Sequence, residues 1–420
     1  MQAIVLTIGD ELLIGQVRDT NASWLGEQLT RAGVVVRRMA TVGDDEQALQ
    51  SELRQSLAES DLVVTTGGLG PTGDDRTREA VAGLFGVDLA FQSEILEDIR
   101  ERFKLRGRTM PESNRSQAMV PAGFEALSNQ VGTAPGLWCE IRQGEAAGSM
   151  LAVLPGVPHE MKHLFTEEVL PRMRRRGGLH TIVHRTLRTA GVGESGLQET
   201  VGDLSGLLSD TLRLAWLPGP GGVRLRMTAF GGSREKAERR IASLEAHLRD
   251  RIGEHIYGAD DETLEEVVGH MLRDRSLTVA VAESCTGGYV AHVLTNIPGS
   301  SEYVAGGVVA YSNRAKMDVL GVSLDALRQH GAVSEEVAAQ MAEGVRRRLG
   351  ADIGLSTTGI AGPDGGTPEK PVGTVWIGYA DAGGVEAHRL QLVRDRMLNK
   401  QLTATFLLEK VRKNLLAGRP

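Results

Sequence analysis

The chain has 420 residues, is 41% hydrophobic and 4% aromatic, and carries a formal charge of -7. At about 150 residues per domain this predicts two or three domains with real cores and excludes wholesale disorder. The acidic balance argues against a broad nucleic-acid footprint, the scarcity of aromatics against base-stacking platforms, and the lack of an apolar run of about 18 residues against a membrane span. The two cysteines, Cys139 and Cys285, make no disulfide framework and suit a reducing cytoplasm. The chain starts directly with a strand-like run at 3–7, so no signal peptide is expected.

Residues 3–8, 34–36 and 61–66 are apolar and β-rich. Asn21 is expected as an N-cap and Gly33 as a helix end. Leu49, Leu53 and Leu57 share one helix face. Met150-Leu-Ala-Val-Leu154 runs into Pro155-Gly156 and another helix. Strands alternating with helices predict an α/β fold, with a parallel sheet covered on both faces, for residues 1–171. The charge run Arg172-Met-Arg-Arg-Arg-Gly-Gly178 predicts a solvated helix end and hinge. Residues 180–256 read strand, helix, strand, turn, strand, helix, a small α+β domain within 172–258. The polar segment 254–262 is expected to be a second linker. From 259 to 420 the pattern is α/β again: a helix stripe of Leu264, Val267, Val268, Met271 and Leu272, a strand at 277–282, a helix between Ser334 and Gly350, strands at 352–356 and 374–378, and a last helix from about 395 to 415.

Gly68-Leu-Gly-Pro-Thr-Gly73 fits the dinucleotide pattern G-x-G-x-x-G. It follows the third strand, however, contains Pro71, and leads into Asp74-Asp75, which would repel a bare pyrophosphate. A divalent metal between carboxylates and phosphate removes that conflict. Gly68, Gly70, Thr72 and Gly73 are therefore candidates to contact phosphate. Asp74 and Asp75, with Asp10 and Glu11 at the end of the first strand, are candidates to hold the metal. His159-Glu-Met-Lys-His163 matches the zinc signature H-E-x-x-H, but it follows Pro158 and lacks a further ligand downstream. A helix start with Glu160 on the dipole is the plainer reading. Ser233-Arg-Glu-Lys236 matches S-x-x-K without its companion motifs, so Ser233 is expected to cap a helix.

Four polar blocks crowd the C-terminal part: Ala282-Glu-Ser-Cys-Thr-Gly-Gly288, Gly299-Ser-Ser301, Tyr311-Ser-Asn-Arg-Ala-Lys316 and Thr358-Gly-Ile-Ala-Gly-Pro-Asp-Gly-Gly366. Each is expected at a strand end, where open α/β sheets bind ligands. A serine attacking a carbonyl needs a base. His292 falls within a predicted helix and His330 at a helix end, whereas Lys316 can serve if burial keeps it neutral. Ser284 and Ser301 are rival nucleophiles, and Cys285 is a third. The Thr286-Gly287-Gly288 turn and the loop bearing Thr358, Gly359, Gly362, Asp364 and Gly365 are candidates to bind a substrate phosphate, with Asn313 nearby.

The strings AESCTGG, GSS, YSNRAK, HGAVS, TGIAGPDGG and KPVGTVW resemble the C-terminal domain of the CinA family, the nicotinamide mononucleotide deamidase. IGDELLIGQVRDTN, TTGGLGPTGDDRT, NQVGTAPG and LPGVPHEM resemble the domain that CinA proteins share with molybdopterin-binding proteins, and the middle domain is similar to the family's KH-like module. The resemblance implies deamidation of nicotinamide mononucleotide by Ser301 with Tyr311 and Lys316, without a cofactor. For the N-terminal domain it implies cleavage of ADP-ribose to AMP and ribose 5-phosphate with a divalent metal. The stretch Arg394-Asp-Arg-Met-Leu-Asn-Lys400 departs from the family's GDRxxVR, so only Arg396 is carried over as a substrate contact. The middle domain lacks a G-x-x-G between helices, so RNA binding is not expected. The expected partners are these two nucleotides, with no nucleic acid and no membrane; the expected assembly is a homodimer. A competence- or DNA-damage-associated interaction protein and a molybdopterin-binding module are the alternatives.

Overall fold

The central strands of the first sheet are apolar on both faces, which forces helices onto each side. The computed structural model describes residues 1–419 and divides into two units, Met1–Val183 with Phe230–Glu238, and His184–Ala229 with Arg239 onward. In chain order the first unit holds β1 (Gln2–Ile8), α1 (Asp10–Leu13), α2 (Thr20–Arg31), β2 (Val35–Val42), α3 (Glu46–Glu59), β3 (Leu62–Thr66), α4 (Thr77–Phe85), β4 (Leu89–Phe91), α5 (Ser93–Leu105), β5 (Met119–Pro121), β6 (Glu125–Leu127), β7 (Gly136–Glu140), β8 (Met150–Leu154), α6 (Pro158–Leu164) and α7 (Leu170–Arg176). Its main sheet runs β2-β1-β3-β8-β7-β6. Ala3, Val5, Leu62, Val64 and Ala152 pack with Leu25, Leu29, Met161 and Leu164 on one face. Ile4, Leu6, Val63, Leu151 and Val153 pack with Leu49, Leu53, Leu57 and Val81 on the other.

The sheet is mixed, not wholly parallel. β2, β1, β3 and β8 are parallel, while β6 and β7 add an antiparallel edge. Asp19, not Asn21, caps α2 by accepting from the Ala22 N–H. The Asn21 amide instead donates to Thr66 Oγ1 (3.1 Å) and the Gly156 carbonyl (2.8 Å). Ser233 does cap the helix that follows it, accepting from the Lys236 N–H. The charge run closes α7 at Gly177, whose φ of 76° suits glycine.

The second unit holds β9 (Ile182–Thr189, whose first two residues fall to the first unit), α8 (Glu194–Val201), β10 (Leu212–Gly219), β11 (Gly222–Phe230, whose last residue falls to the first unit), α9 (Arg234–Ile252, whose residues 234–238 fall to the first unit), β12 (Ile256–Ala259), α10 (Leu264–Asp274), β13 (Val279–Glu283), α11 (Tyr289–Thr295), β14 (Val304–Val309), α12 (Asn313–Leu320), α13 (Leu324–His330), α14 (Glu335–Leu349), β15 (Ile353–Gly359), β16 (Thr374–Asp381), β17 (Gly384–Gln391) and α15 (Arg396–Leu416). A four-stranded sheet, β10-β11-β9-β12, precedes a five-stranded one, β14-β13-β15-β16-β17. In the latter β14, β13 and β15 are parallel, and β16 and β17 antiparallel. Val279 and Val281 face a core shared with α10, α11 and α15, while Ala280 and Ala282 face α12 and α14.

The expected linker at 254–262 is not one. It contains β12, which pairs with β9, and its chain is gripped by α15. The buried Arg412 guanidinium ion-pairs with buried Glu409 and donates to the carbonyls of Glu254 (2.5 Å) and Ile256 (3.4 Å). A chain cut at Asp260 therefore leaves Arg412 without those acceptors, and each buried group so orphaned costs about 1–3 kcal/mol. The fragment from Asp260 is expected to melt about 5 °C or more below the fragment from His184. Equal melting temperatures, followed by circular dichroism, would show that the grip contributes nothing.

Candidate functional site

Strand order reverses at β13, which lies between β14 and β15. Such a switch point opens a crevice at the carboxyl ends of the strands. Ser284 is the first residue after β13, Tyr311 to Lys316 follow β14, and Thr358 and Gly359 close β15. These segments, with Arg396 from the start of α15, line a cavity of about 200 Å³. Lys316 is 1% exposed, and its amine lies 2.9 Å from Ser284 Oγ, 2.8 Å from the Ala310 carbonyl and 3.4 Å from the Tyr311 carbonyl. No carboxylate pairs with it among the described residues. Burial pushes its pKa below the ordinary lysine value, against a smaller upward pull from Cys285. A neutral amine has two N–H groups and one lone pair. When charged, the amine donates to Ser284 Oγ and both carbonyls; when neutral, its two N–H groups suffice for the carbonyls and its lone pair is left for the Ser284 hydroxyl. A larger open groove of about 690 Å³ lies between α12 and α14. Its acids are already engaged, Glu343 by Arg346 and Arg347 and Asp318 by Arg314.

The first unit has a comparable edge. Order reverses at β1, between β2 and β3, and acidic residues follow each of these strands. The Asp10 N–H donates to Asp44 Oδ2 (3.1 Å) and the Asp44 N–H to Asp10 Oδ1 (3.2 Å). Partial burial pushes the Asp44 carboxyl up, opposed by the Asp10 N–H and reinforced by the charges of Asp10, Glu11 and Asp74. Asp75 turns inward: it accepts from the N–H groups of Gly70 (2.7 Å) and Thr72 (2.9 Å) and from the Thr72 hydroxyl. Buried Arg78 holds the same loop from beneath through the Leu69 and Gly70 carbonyls.

Family models match three stretches: residues 4–175 a probable molybdopterin binding domain, 184–258 the damage-inducible protein CinA KH domain, and 261–415 the CinA C-terminal domain. A CinA-like protein of Salinibacter ruber is 52% identical over 99% of this chain and 100% of its own length. The chain belongs to the CinA family. A CinA-like protein of Chloroherpeton thalassium is 44% identical, with both chains covered in full. Among solved structures, a CinA protein of unknown function from Thermoplasma acidophilum is 38% identical over 41% of this chain and 98% of its own, with a TM-score of 0.37. No helix among the described residues is long and apolar enough to cross a membrane.

The expected meeting of Ser301 with Lys316 does not occur. Ser301 is exposed in a short turn before β14, at the amino edge of the sheet, whereas Ser284 and Lys316 stand at the carboxyl edge. Tyr311 is 62% exposed, and its hydroxyl accepts from Arg396 (3.1 Å) rather than facing Lys316. Arg396 also donates to the Gly362 carbonyl (2.9 Å). Asn313 and Thr358 line the cavity, Thr358 with its hydroxyl on the Ala332 carbonyl, while Asp364 and Gly365 lie on an exposed loop. Thr286 is fully buried, with its hydroxyl 2.6 Å from that of Thr357.

The Gly287-Gly288 turn is not an open anion cradle either. Glu283, buried at the end of β13, accepts from the N–H groups of Gly288 (2.9 Å), Val290 (3.1 Å) and Ala291 (2.8 Å). Neither Glu283 nor Asp44 stood out in the sequence, although an acid at a strand end before Gly-Gly, and the pair Asp44-Asp45 after a strand, were there to be read. At the first-unit edge Gly68, Gly70 and Gly73 form the loop after β3, and Asp74 is exposed while Asp75 is committed to the loop itself. No group of three His, Cys, Asp or Glu close enough to hold a metal exists among the described residues. Within the H-E-x-x-H match His159 is exposed, and buried Glu160 accepts from Asn129 (2.6 Å).

Burial pushes the Cys285 thiol up to about 12, so it is no thiolate at neutral pH. Cys285 is expected to resist iodoacetamide at pH 7.5, a pH below that value by about four units, until the protein unfolds. Rapid labelling of the native protein, located by mass spectrometry, would contradict this.

Proposed function

We propose that the second unit hydrolyses the carboxamide of nicotinamide mononucleotide, with Ser284 as nucleophile and Lys316 as general base. The 2.9 Å contact between a buried amine and a serine at the switch point carries this reading. Neutral Lys316 takes the Ser284 proton as Oγ bonds to the carboxamide carbon. The resulting oxyanion needs pre-aimed N–H donors. The amides of Cys285 and Thr286, next in the chain, have no backbone carbonyl partner among the described residues and stand nearest. Protonated Lys316 then gives its proton to the departing ammonia. Water, deprotonated by the same lysine, cleaves the acyl-enzyme and restores Ser284. Arg396 and Tyr311 close one side of the cavity over the substrate.

Ser284→Ala and Lys316→Met are each expected to lower ammonia release at least about a thousandfold, while Ser301→Ala remains active. The reverse ranking would restore Ser301 as nucleophile. Because the base form of Lys316 is the active one and its pKa is depressed, ammonia release should rise with pH through a pKa below the ordinary value of about 10.4 and level off above it. A limb that rises only near the ordinary lysine value would remove Lys316 as the base.

For the first unit we infer cleavage of ADP-ribose to AMP and ribose 5-phosphate with a divalent metal, in preference to the alternative of a molybdopterin-binding module. The Asp44 carboxyl, pushed up first by burial and then by the charges of Asp10, Glu11 and Asp74, supports it, since a carboxylate crowded by other acids suits a hard cation. Asp10, Glu11, Asp44 and Asp74 are the acids at this edge, but no three of them stand close enough to hold an ion by themselves, so the phosphates of the substrate would have to complete its shell; Asp75, committed to its own loop, would take no part. The ion would supply charge neutralisation at the diphosphate. Added Mg²⁺ is expected to raise the melting temperature of the wild type and not that of Asp10→Asn, Asp74→Asn. ADP-ribose cleavage that persists in chelator would overturn the metal, and absence of AMP under all conditions would favour the binding module.

A further inference from the structure

The four-stranded sheet turns one face to α9 and the other away from it. Arg185 on β9 ion-pairs with Glu245 of α9, while His184, one residue earlier, bonds the Thr228 hydroxyl of β11. Even-numbered residues of both strands therefore share the face away from the helix. Along β11, Val223, Leu225 and Met227 are buried, whereas Arg224 and Arg226 are exposed. The register of β10 places Leu217 opposite Arg224, Ala215 opposite Arg226 and exposed Arg213 opposite Thr228. Three exposed arginines thus stand on one sheet face, with Arg188 behind them on β9. Arg224 and Arg226 make no hydrogen bond or ion pair among the described residues. The charge is local: residues 184–258 hold eleven Lys and Arg against nine Asp and Glu, in a chain of net charge -7.

Strand β10 also forms an edge of this sheet. Leu212 exchanges its N–H and C=O with Ser209 rather than with β11, so even-numbered residues of β10 aim their backbone groups out of the sheet. Those of Leu214 and Trp216 have no backbone partner among the described residues, and Pro218, which lacks an N–H, ends the open stretch. We propose that this edge takes an extended acidic segment of a protein partner as a fifth strand, with carboxylates at alternate positions on the face of Arg213, Arg224 and Arg226. Period decides the chemistry: alternate side chains of an added strand rise on one face about 7 Å apart, which is also the spacing of Arg224 and Arg226 along β11. The short Ala215 leaves the long Arg226 side chain a path across β10 to the added strand, and guanidinium forks match carboxylates. A nucleic-acid strand fits this face less well, because bases need exposed rings to stack on; Tyr257, which meets Arg188, is half-buried.

The test uses the full chain and two fluorescent peptides of one composition, followed by anisotropy. One alternates, Glu-Thr-Glu-Thr-Glu-Thr-Glu; the other carries its four glutamates in a block. The alternating peptide is expected to bind about tenfold tighter than the blocked one, since only its carboxylates all fall on the arginine face. The double variant Arg224→Gln, Arg226→Gln should weaken it by about tenfold or more, while Arg224→Lys, Arg226→Lys retains part of the affinity. Ala215→Glu sets a carboxylate opposite Arg226 within the sheet and should weaken the peptide as well. Circular dichroism confirms that each variant is folded; these are exposed positions, and one folded variant suffices for the comparison. Equal affinity for the two peptides, equal affinity in wild type and the glutamine variant, or no peptide binding at millimolar concentration overturns the proposal. An oligothymidylate of equal charge that binds as tightly as the alternating peptide also overturns it, and makes the face one for nucleic acid.

Discussion

A lysine amine buried without an acid beside it is the constraint around which the C-terminal sheet is arranged. Lys316 is nearly inaccessible, and burial favours its neutral form. Its position follows from helix geometry. Side chains on a helix tilt toward its N-terminus, so a lysine one turn into α12 reaches back over the end of β14. There it meets the Ala310 and Tyr311 carbonyls, which lie between β14 and the start of α12. Ser312 caps α12 through the Ala315 N–H and fixes where that helix begins. The neighbouring strand β13 ends at the same level, which brings Ser284 into reach. The contact thus depends on strand register, on a cap, and on the exclusion of water.

Both units repeat one device. A glycine-rich turn after a parallel strand offers amides that, in sequence, look ready for a phosphate. In each case the protein satisfies those amides with its own carboxylate: Glu283 at the start of α11, and Asp75 across the Gly70–Thr72 loop. This ties each turn down, Glu283 by three backbone N–H groups and half-buried Asp75 by two backbone N–H groups and the Thr72 hydroxyl, so each carboxylate is well compensated. The consequence is that charge for an anionic ligand has to come from elsewhere. In the C-terminal cavity that leaves Lys316 and, at the start of α15, Arg396, and at the first-unit edge the exposed groups are acids.

Helix α15 links the cavity to the small four-stranded sheet. Its first turn carries Arg396 and Asn399, the latter donating to the Ala361 and Val393 carbonyls, and its last turns carry the buried Glu409–Arg412 pair. Arg412 removes two carbonyls of the β12 segment from solvent. A polar stretch that reads as a tether is held in place because a guanidinium taken out of water needs every acceptor within reach.

Local pattern determined much of this protein. Alternating apolar strands and leucine-spaced helices gave the α/β units, and the polar blocks after β13, β14 and β15 marked Ser284, Lys316 and Thr358, because side chains beyond strand ends are local properties of the chain. The antiparallel additions β6, β7, β16 and β17 and the strand β12 were less legible, since pairing direction is set by partners far away in the sequence. Ser284, Ser301 and Lys316 were all visible as candidates. Which serine meets the lysine was not, because Gly299-Ser-Ser301 precedes its strand while the other blocks follow theirs, and only the parallel register of β13 and β14 sends the two serines to opposite edges. The same holds for Glu283 and Asp75: the sequence shows an acid beside glycines, and only the folded backbone decides that the acid takes the place of an anion.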